Sequence, residues 1–450
     1  MNSLWTWEAL CFAVGLDPSE GPDVAGISID SRTLKAGDLF VALHGDPGPR
    51  FFSSHRSDRD GHDFVADAIK AGAVGVLVDR EVDAGISALH VEDTLDGLWQ
   101  IAAARRGIYP GKVVALTGSS GKTTLKNFLA SALDTFASEG SQNNHIGVPL
   151  SLARTSVSDG PAVYELGTNH PGEIGPLSQL VTPDVAVVLN VSPAHIEYFD
   201  SIDALRREKL AIVEGLSPNG TLVLADDPDL IVPNGINSLR FGHDSSADVC
   251  IVNETQDWVA LETPSGRIEM DIPGGGKHRA MTLAAASAVL FALGEPPRLL
   301  ERIRASSIPD GRGNRISCGR VTLIDDSYNA NPASMRAALE VLAGSEGGRR
   351  IAVLGDMLEL GEDSTNYHRE LQAHMNGIDG VVCVGKRMRA LDACLDRERR
   401  MNHFEQADRA LIDYLLSVTR SGDVLLVKGS RGIFWSQGFV ASLTDAFDAA

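Results

Sequence analysis

Short apolar runs alternate with segments of helical period along the whole chain. In the first hundred residues, strands are predicted at 39–43 and 74–78, with a helix at 63–71 between them. Farther on, the pattern predicts helices at 125–133 and 281–293 and strands at 113–116, 162–166, 185–191 and 221–225. The last part adds strands at 321–325, 350–354, 380–384 and 423–428. Strands that alternate with helices predict parallel sheets and the α/β class.

The length of 450 residues suggests about three domains. We predict a small α/β domain over 1–108, a central parallel-sheet domain over 109–308 and a third α/β domain over 309–450. The strand series of the third domain predicts a doubly wound, Rossmann-like sheet. Residues 46–59 are rich in turn formers and charge, so we expect an exposed loop or insertion there.

The most specific motif is Gly-Ser-Ser-Gly-Lys-Thr-Thr at 118–124, between a predicted strand and a predicted helix. Gly118 and Gly121 allow the backbone N–H groups to face an anion, and the helix N-terminus adds partial positive charge. Lys122 can reach the outer phosphates and Thr123 can hold Mg²⁺, with Ser119, Ser120 and Thr124 completing the loop. The motif predicts a P-loop ATPase-like central domain in a shortened form. The alternative is a Gly/Ser turn with a solvated lysine.

Composition narrows the possible partners. Apolar residues make up 43% and charged residues 22% of the chain, as in ordinary globular proteins, and the net charge is −20. This charge repels nucleic acid and anionic membrane surfaces. The five cysteines are scattered without Cys-x-x-Cys spacing, which favours a reducing compartment and gives no sign of zinc. The start of the chain does not resemble a signal peptide and no apolar run is long enough to span a bilayer, so we expect a cytoplasmic protein.

Several polar residues follow predicted strands, where ligands of open α/β sheets bind. Glu165 and His195 are candidate metal ligands, although a surface glutamate and a structural histidine are the alternatives. Asp326, Tyr328 and Asn329 suit a nucleotide base or ribose, and the alternative is a capped turn. By composition alone, Lys209 is one cation on the solvated face of a charged helix.

Taken in order, these segments resemble the Mur ligase family of ATP-dependent amide-forming enzymes. The resemblance extends nearly end to end and rests on Asp-Ser-Arg at 30–32, Asn-Asn-His-Ile-Gly-Val-Pro-Leu at 143–150, Glu-Leu-Gly at 165–167, Ser-Tyr-Asn-Ala-Asn-Pro at 327–332, Gly-Asp-Met-x-Glu-Leu-Gly at 355–361 and Lys-Gly-Ser at 428–430. Together the motifs, and Ser-Tyr-Asn-Ala-Asn-Pro in particular, most resemble the member that adds D-alanyl-D-alanine to UDP-MurNAc-tripeptide through an acyl phosphate, which is the activity the resemblance implies. The sister ligase that adds the third stem residue has an Asp-Asn-Pro-Arg type of motif instead.

The resemblance implies a role for each matching residue. Lys122, Thr123 and Glu165 would bind ATP phosphates and Mg²⁺, while Lys209, carried as a carbamate, would hold a second Mg²⁺ with His195. Ser31 and Arg32 would contact the UDP end of the substrate, and Asn143 and Asn144 would line the acceptor site. The nucleotide would be contacted by Arg312, Asp326, Tyr328 and Asn329. The dipeptide and the activated carboxylate would be contacted by Asp356, Lys428 and Ser430. A monomer is expected.

The match is incomplete at Arg279 and Thr282, where the family has asparagines that include a nucleotide contact. Three other functions stay open. They are the sister ligase, a P-loop phosphotransferase or GTPase that would give a phosphorylated acceptor, and, because of the departure at Thr282, a nucleotide-sugar-binding regulatory protein that has lost catalysis.

Overall fold

The computed structural model describes residues 3–47, 51, 57–83 and 85–449. They form two compact units, one of residues 1–116, 135–186 and 211–220 and one of residues 117–134, 187–210 and 221–450. Two of the division points, 116/117 and 186/187, fall inside strands of the central part of the chain. Within the described residues, no helix combines the length and the apolar character that crossing a bilayer requires.

The first unit opens with a four-stranded parallel sheet of order β1-β2-β3-β4. Its elements are α1 Trp7–Ala13, β1 Gly26–Ser28, β2 Asp38–Val41, α2 Val65–Ala71, β3 Gly75–Val78, β4 Ser87–His90 and α3 Thr94–Ile108. Two buried clusters cover the sheet, and one of them includes Leu150 and Ala153. Buried Trp5 donates its indole N–H to the carbonyl of Ala153 at 2.8 Å. This sheet is the predicted N-terminal α/β fold.

The central part of the chain continues the alternation of strands and helices. Its elements are β5 Val113–Thr117, α4 Lys122–Leu133, β6 Phe136–Ala137, α5 Gly147–Arg154, β7 Ala162–Glu165, α6 Ile174–Val181, β8 Val185–Val188, α7 Ile202–Leu210, β9 Thr221–Ala225, β10 Asn237–Gly242, β11 Val249–Glu254, β12 Trp258–Thr263, β13 Gly266–Asp271 and α8 Lys277–Leu293. In the first unit, β7 pairs in parallel with β5 and β6. In the second unit, β9, β10 and β11 are parallel, whereas β12 and β13 continue antiparallel.

The last part of the second unit is a six-stranded sheet of order β14-β15-β19-β16-β17-β18, parallel except for β14. Its elements are β14 Asn314–Cys318, β15 Val321–Asp326, α9 Pro332–Ala343, β16 Arg350–Gly355, α10 Ser364–Glu370, β17 Gly380–Val384, α11 Arg389–Asp392, β18 Arg400–Phe404, α12 Arg409–Val418, β19 Val424–Lys428 and α13 Phe439–Asp448. Successive residues of β16 enter two separate cores, with Ala352 in the cluster that includes α9 and Val353 in the cluster of α12 and α13. Helices thus cover both faces, and the doubly wound prediction is confirmed.

The predicted strands are all present; those at 221–225 and 380–384 have the predicted bounds, and the others have shifted ends. The helix predicted at 125–133 begins at Lys122, and the strand predicted at 185–191 ends at Val188. The antiparallel strands β12 and β13 had no counterpart in the prediction; β13 is largely exposed and polar, whereas β12 buries the short apolar run Val259-Ala260-Leu261. The loop prediction at 46–59 falls partly on residues 48–50 and 52–56, which lie outside the described residues. At Phe51 the exposed-loop prediction is wrong, since this side chain is buried and stacks on His145 at 4.6 Å between ring centroids.

Candidate functional site

The phosphate loop joins β5 to α4 and has the predicted turn. Gly121 lies in the left-handed region, with φ +79°, immediately before the first residue of α4. A Cβ atom on Gly118 would approach the Cβ of Leu189 to 2.9 Å. Both positions therefore require glycine, one for its backbone angle and one for the close approach. The result is an uncapped helix N-terminus behind a glycine turn, which is a site suited to phosphate.

A second loop supports the phosphate loop from the side. The Asn190 side-chain oxygen accepts from the backbone N–H of Ser120 at 3.0 Å, and its amide donates to the Ser120 carbonyl at 3.1 Å. The Asn190 carbonyl accepts from the N–H of Ser119 at 3.1 Å. The Ser119 hydroxyl donates to the carbonyl of Ser192 at 2.8 Å. These bonds hold the loop in one shape before any nucleotide arrives.

Two lysines of the second unit interact electrostatically at this loop. Lys122 donates to the Gly118 carbonyl at 2.7 Å. Lys209, on α7, is buried, with 4% of its surface exposed. Burial, together with the positive charge of Lys122, lowers the pKa of Lys209 from 10.5 to about 7, and the carboxylate of Glu208 opposes this shift. The expectation of a solvated Lys209 is wrong, because α7 turns this residue toward the interior.

Glu165, in the first unit, ends β7 beside the end of β5. It pairs in register with Leu116, two residues before the phosphate loop begins. The carboxylate is buried, with 1% exposed, and accepts from the Asn143 amide at 2.7 Å. The Asn144 side-chain oxygen accepts from the N–H groups of Ile146 and Gly147 at 3.2 and 2.9 Å. Asn143 thus positions a predicted metal ligand, whereas Asn144 caps the start of α5.

His195 contacts a residue that the sequence did not identify. Its Nδ1 is hydrogen-bonded to the carboxylate of Glu359, which lies 164 residues away in the Gly-Asp-Met-x-Glu-Leu-Gly motif. His195 has φ +56° and Glu359 has φ +60°, two of the four positive φ values at non-glycine residues in the described chain. Such backbone angles are concentrated at functional sites. A carboxylate on one imidazole nitrogen orients the other nitrogen, as it does for metal-binding histidines.

Arg312 connects the phosphate loop with the third α/β series inside the second unit. Its guanidinium donates to the Thr123 hydroxyl at 3.0 Å and lies 4.1 Å from the centre of the Tyr328 ring. Trp435 contacts the edge of Tyr328 with 5.3 Å between ring centroids. Arg312, Thr123 and Tyr328 were all predicted to bind nucleotide, and the fold brings them together.

The predicted residues at the ends of β15, β16 and β19 form a second group in the same unit. Lys428 is buried and lies 2.8 Å from a carboxylate oxygen of Asp326, and it donates to the Asn329 carbonyl at 3.0 Å. Ser430 donates its N–H to the Asp356 carbonyl at 2.9 Å. The Ser430 hydroxyl accepts from the N–H of Leu358 at 2.9 Å. These contacts hold three strand ends in one arrangement.

Arg279 and Thr282, where the family pattern is broken, are both buried on α8. The Arg279 guanidinium donates to the carbonyls of Gly274 and Arg312 at 2.9 and 2.8 Å. Burial lowers the pKa of Arg279 to about 10. The Thr282 hydroxyl donates to the His278 carbonyl at 3.2 Å. Arg279 therefore holds the backbone of Arg312, which is a structural task.

Ser31 and Arg32 lie in the turn after β1 in the first unit. Arg32 is exposed and makes a bidentate contact with Asp30, with its Nε 2.9 Å from Oδ1 and a terminal nitrogen 2.6 Å from Oδ2. Hydrogen bonds from the side chain and backbone of Arg32 lower the pKa of Asp30 to about 2. The guanidinium is held at the surface by its own turn.

The chain is similar to known proteins over most of its length. Residues 116–290 match the Mur ligase middle domain, and residues 311–431 match the Mur ligase, glutamate ligase domain. The chain is 37% identical over 444 residues to the UDP-N-acetylmuramoyl-tripeptide--D-alanyl-D-alanine ligase of Escherichia coli K12, covering 92% of each protein. The chain belongs to the Mur ligase family.

Solved structures of Mur ligases agree with this assignment. A crystal structure of MurF from Acinetobacter baumannii has a TM-score of 0.83 and 32% identity, covering 98% of this chain and 99% of that one. The MurF ligase of Thermotoga maritima in complex with ADP has a TM-score of 0.78 and 28% identity, covering 94% of this chain and 98% of that one. The three-domain α/β fold predicted from the sequence is confirmed, and this Mur ligase is a member of an ATP-dependent ligase family.

Two residues of the Mur ligase site were missed by sequence reasoning. They are Asn190 and Glu359, and no sequence motif predicted a partner for either of them. Glu359 lies inside the Gly-Asp-Met-x-Glu-Leu-Gly motif, but only its contact with His195 gives it a role. Asn190 stands at the end of a predicted strand, the same position that selected Glu165 and His195, and this signal could have found it. The assignments of the other site residues to ligands stay predictions.

Proposed function

We propose that this Mur ligase uses ATP to join D-alanyl-D-alanine to UDP-MurNAc-tripeptide, giving UDP-MurNAc-pentapeptide, ADP and phosphate. The names of the relatives specify this substrate pair, and the ADP complex of the Thermotoga maritima relative supports use of ATP. The observation that carries the proposal is the phosphate loop, with Lys122 beside the buried Lys209 and Arg312 on Thr123. A simple phosphate-binding turn would need neither a buried Lys209 nor the contact of Arg312 with Thr123.

The chemistry proceeds in two steps. A carboxylate oxygen of the tripeptide attacks the γ-phosphorus, ADP leaves, and an acyl phosphate forms. The amine of D-alanyl-D-alanine then attacks the acyl carbon, phosphate leaves, and the amide remains. Lys122 and Arg312 neutralise negative charge on the phosphoryl oxygens. Asp326 and Tyr328 hold the nucleotide, and Asp356 and Ser430 orient the incoming dipeptide.

Two Mg²⁺ ions belong to the proposal, with Thr123 and Glu165 as ligands of the first and His195 and Lys209 as ligands of the second. A hydroxyl and a buried carboxylate are donors that Mg²⁺ prefers, and Glu165 is oriented by Asn143. Bound Mg²⁺ would neutralise the charge that develops during phosphoryl transfer. His195 is oriented for such a role by Glu359.

Lys209 can bind a metal cation only after its ammonium group loses its positive charge. We propose that the neutral amine attacks CO₂ and releases a proton, which leaves a carbamate whose single negative charge is shared by two oxygens. The lowered pKa, about 7, makes the neutral amine abundant at physiological pH. A protonated Lys209, under the positive charge of Lys122, would repel Mg²⁺, and the carbamate replaces this repulsion by attraction.

The test is a complete reaction with each component omitted in turn. Purified protein is incubated with ATP, Mg²⁺, UDP-MurNAc-tripeptide and D-alanyl-D-alanine, and phosphate release and product mass are followed. We expect phosphate and the pentapeptide product only when all components are present. Turnover with a single amino acid as amine donor would instead identify the sister ligase. A phosphorylated acceptor without an amide would identify a phosphotransferase, and no turnover would identify a binding protein.

The proposal also concerns the third residue of the tripeptide, the cellular compartment and the oligomeric state. Lysine and meso-diaminopimelate substrates compared in parallel would determine the third stem residue. We propose a cytoplasmic monomer, since ATP and nucleotide-linked sugars are cytoplasmic metabolites. Light scattering on the purified protein with and without nucleotide tests the monomer, and a dimer mass would contradict it.

A further inference from the structure

The first unit contains a cluster of two histidines and an aspartate that the ligase chemistry does not use. His44 follows β2, His62 lies in the short helical turn Gly61–Phe64, and Asp79 follows β3. One nitrogen or oxygen atom from each residue lies within 4.8 Å of the corresponding atoms of the other two. The strand ends therefore bring together a set of donor atoms of the kind that binds transition metals.

The distances within the cluster are close to those of a metal site. His44 Nε2 lies 2.5 Å from Asp79 Oδ2, and His62 Nε2 lies 3.2 Å from Asp79 Oδ1. Bonds of 2.0–2.1 Å to a tetrahedral zinc ion place neighbouring ligand atoms roughly 3.3 Å apart. Small rotations of the His44 and Asp79 side chains would open that space. The His44 side chain is 38% exposed, which provides a path for the ion, whereas that of His62 is 1% exposed.

A fourth residue, Asp60, orients the buried histidine. Asp60 Oδ1 lies 2.6 Å from His62 Nδ1, and its other oxygen accepts from Arg80 at 2.6 Å. His62 Nδ1 therefore donates to Asp60, which leaves Nε2 as the acceptor nitrogen facing Asp79.

The Nε2 lone pair of His62 has one weak partner. The N–H of Asp79 donates to it at 3.2 Å, which confirms that Nε2 is the acceptor nitrogen of this tautomer. Two carboxylates, Asp60 and Asp79, and one guanidinium, Arg80, surround the two imidazoles. A divalent cation would be attracted there, and the carboxylate behind the histidine is the arrangement seen at zinc sites.

We propose that His44, His62 and Asp79 bind a divalent transition-metal ion of the zinc type, with Asp60 orienting His62 and water completing the coordination. Two imidazoles and one carboxylate favour zinc over Mg²⁺, which prefers oxygen ligands. The site is independent of the proposed ligase function, because none of its residues has a part in that chemistry.

The location suggests what a bound ion would do. His44 and Asp60 form an antiparallel bridge, and Gly45 donates its N–H to the Arg59 carbonyl at 2.9 Å. An ion on His44, His62 and Asp79 would therefore fasten this bridge to the ends of β2 and β3.

Metal titration of the full-length protein tests the site. Protein stripped with a chelator is dialysed into excess Mg²⁺ without nucleotide and titrated with CoCl₂ by visible absorption, then with ZnCl₂ by calorimetry. The variants are His44→Gln and Asp79→Asn, with His90→Gln as the matched control, because His90 is an exposed histidine of the same unit. We expect wild type and His90→Gln to bind one ion per chain, and the two cluster variants to bind at least tenfold more weakly.

A variant of the orienting residue distinguishes a metal site from a hydrogen-bonded cluster. Asp60→Asn keeps the shape of the side chain and removes the carboxylate behind His62, so zinc affinity should fall about 10–100-fold. Circular dichroism confirms that each variant is folded. Equal affinity in wild type and His44→Gln, or no saturable binding to wild type, would overturn the proposal and leave the cluster as a hydrogen-bonded clasp.

Discussion

Two lysines of the second unit are buried to almost the same degree and have opposite surroundings. Lys428, at the end of β19, is 2% exposed and lies 2.8 Å from the Asp326 carboxylate. Lys209, on α7, is 4% exposed, and the positive charge of Lys122 adds to the effect of burial to lower its pKa to about 7. Glu208 compensates only in part.

This difference shows that burial by itself does not decide what a lysine does. A buried ammonium group beside a carboxylate remains an ion-pair partner, because the pair satisfies the charge that desolvation exposes. A buried ammonium group beside another lysine is unstable as a cation and becomes a neutral amine. The first lysine fixes a geometry, and the second is available for chemistry.

The largest effect is expected from Lys209→Ala. Removal of the amine removes the proposed carbamate, and we expect kcat to fall roughly 10³-fold. Bicarbonate with a short added carboxylate should restore part of the rate. Lys277→Ala, which changes a lysine of α8 whose side chain is 52% exposed, serves as the control and should leave the rate unchanged. Full activity in Lys209→Ala would contradict the carbamate.

Lys428→Met should act mainly on stability. The substitution leaves the Asp326 carboxylate, 20% exposed, without its cation, and we expect a loss of about 2–4 kcal/mol in the free energy of unfolding. Urea denaturation measures it. The double variant Lys428→Met with Asp326→Asn should recover part of the loss. A loss below about 1 kcal/mol would show that solvent screens this pair.

The pH dependence of stability should reveal Lys209 directly. Its pKa is about 7 when folded and near 10.5 otherwise, so between these values the unfolded chain binds more protons. The free energy of unfolding of wild type should therefore rise with pH in this window, by up to about 1.4 kcal/mol per pH unit relative to Lys209→Met. This part of the stability is lost as the pH falls toward 7. Parallel slopes in CO₂-free urea titrations would contradict the shift.

The smallest effect is expected from Glu208→Gln. Glu208 raises the pKa of its neighbour Lys209, so its neutralisation should lower that pKa further. The acid limb of the bicarbonate-dependent activity should then move to lower pH by less than about one unit. A pH–rate profile against wild type measures the shift. Movement in the opposite direction would mean that Glu208 acts on Lys209 through contacts rather than charge.

Local patterns were sufficient for ten of the strands and for the phosphate loop. Apolar runs located β5 and β16, and the Gly118 and Gly121 spacing located the turn, because these features depend on neighbouring residues. Exposed strands such as β13 were missed, because their side chains lack a buried face. The domain boundaries at 108/109 and 308/309 stay a prediction.

The sequence by itself determined the α/β class, the phosphate loop and the strand ends that carry the candidate ligands. Only the tertiary structure decided which of these residues meet. The pairing of His195 with Glu359, the surroundings of Lys209 and Lys428, and the cluster of His44, His62 and Asp79 all depend on contacts between residues far apart in the chain. Charge and burial at such places are sums over neighbours that the fold supplies, and no local pattern contains them.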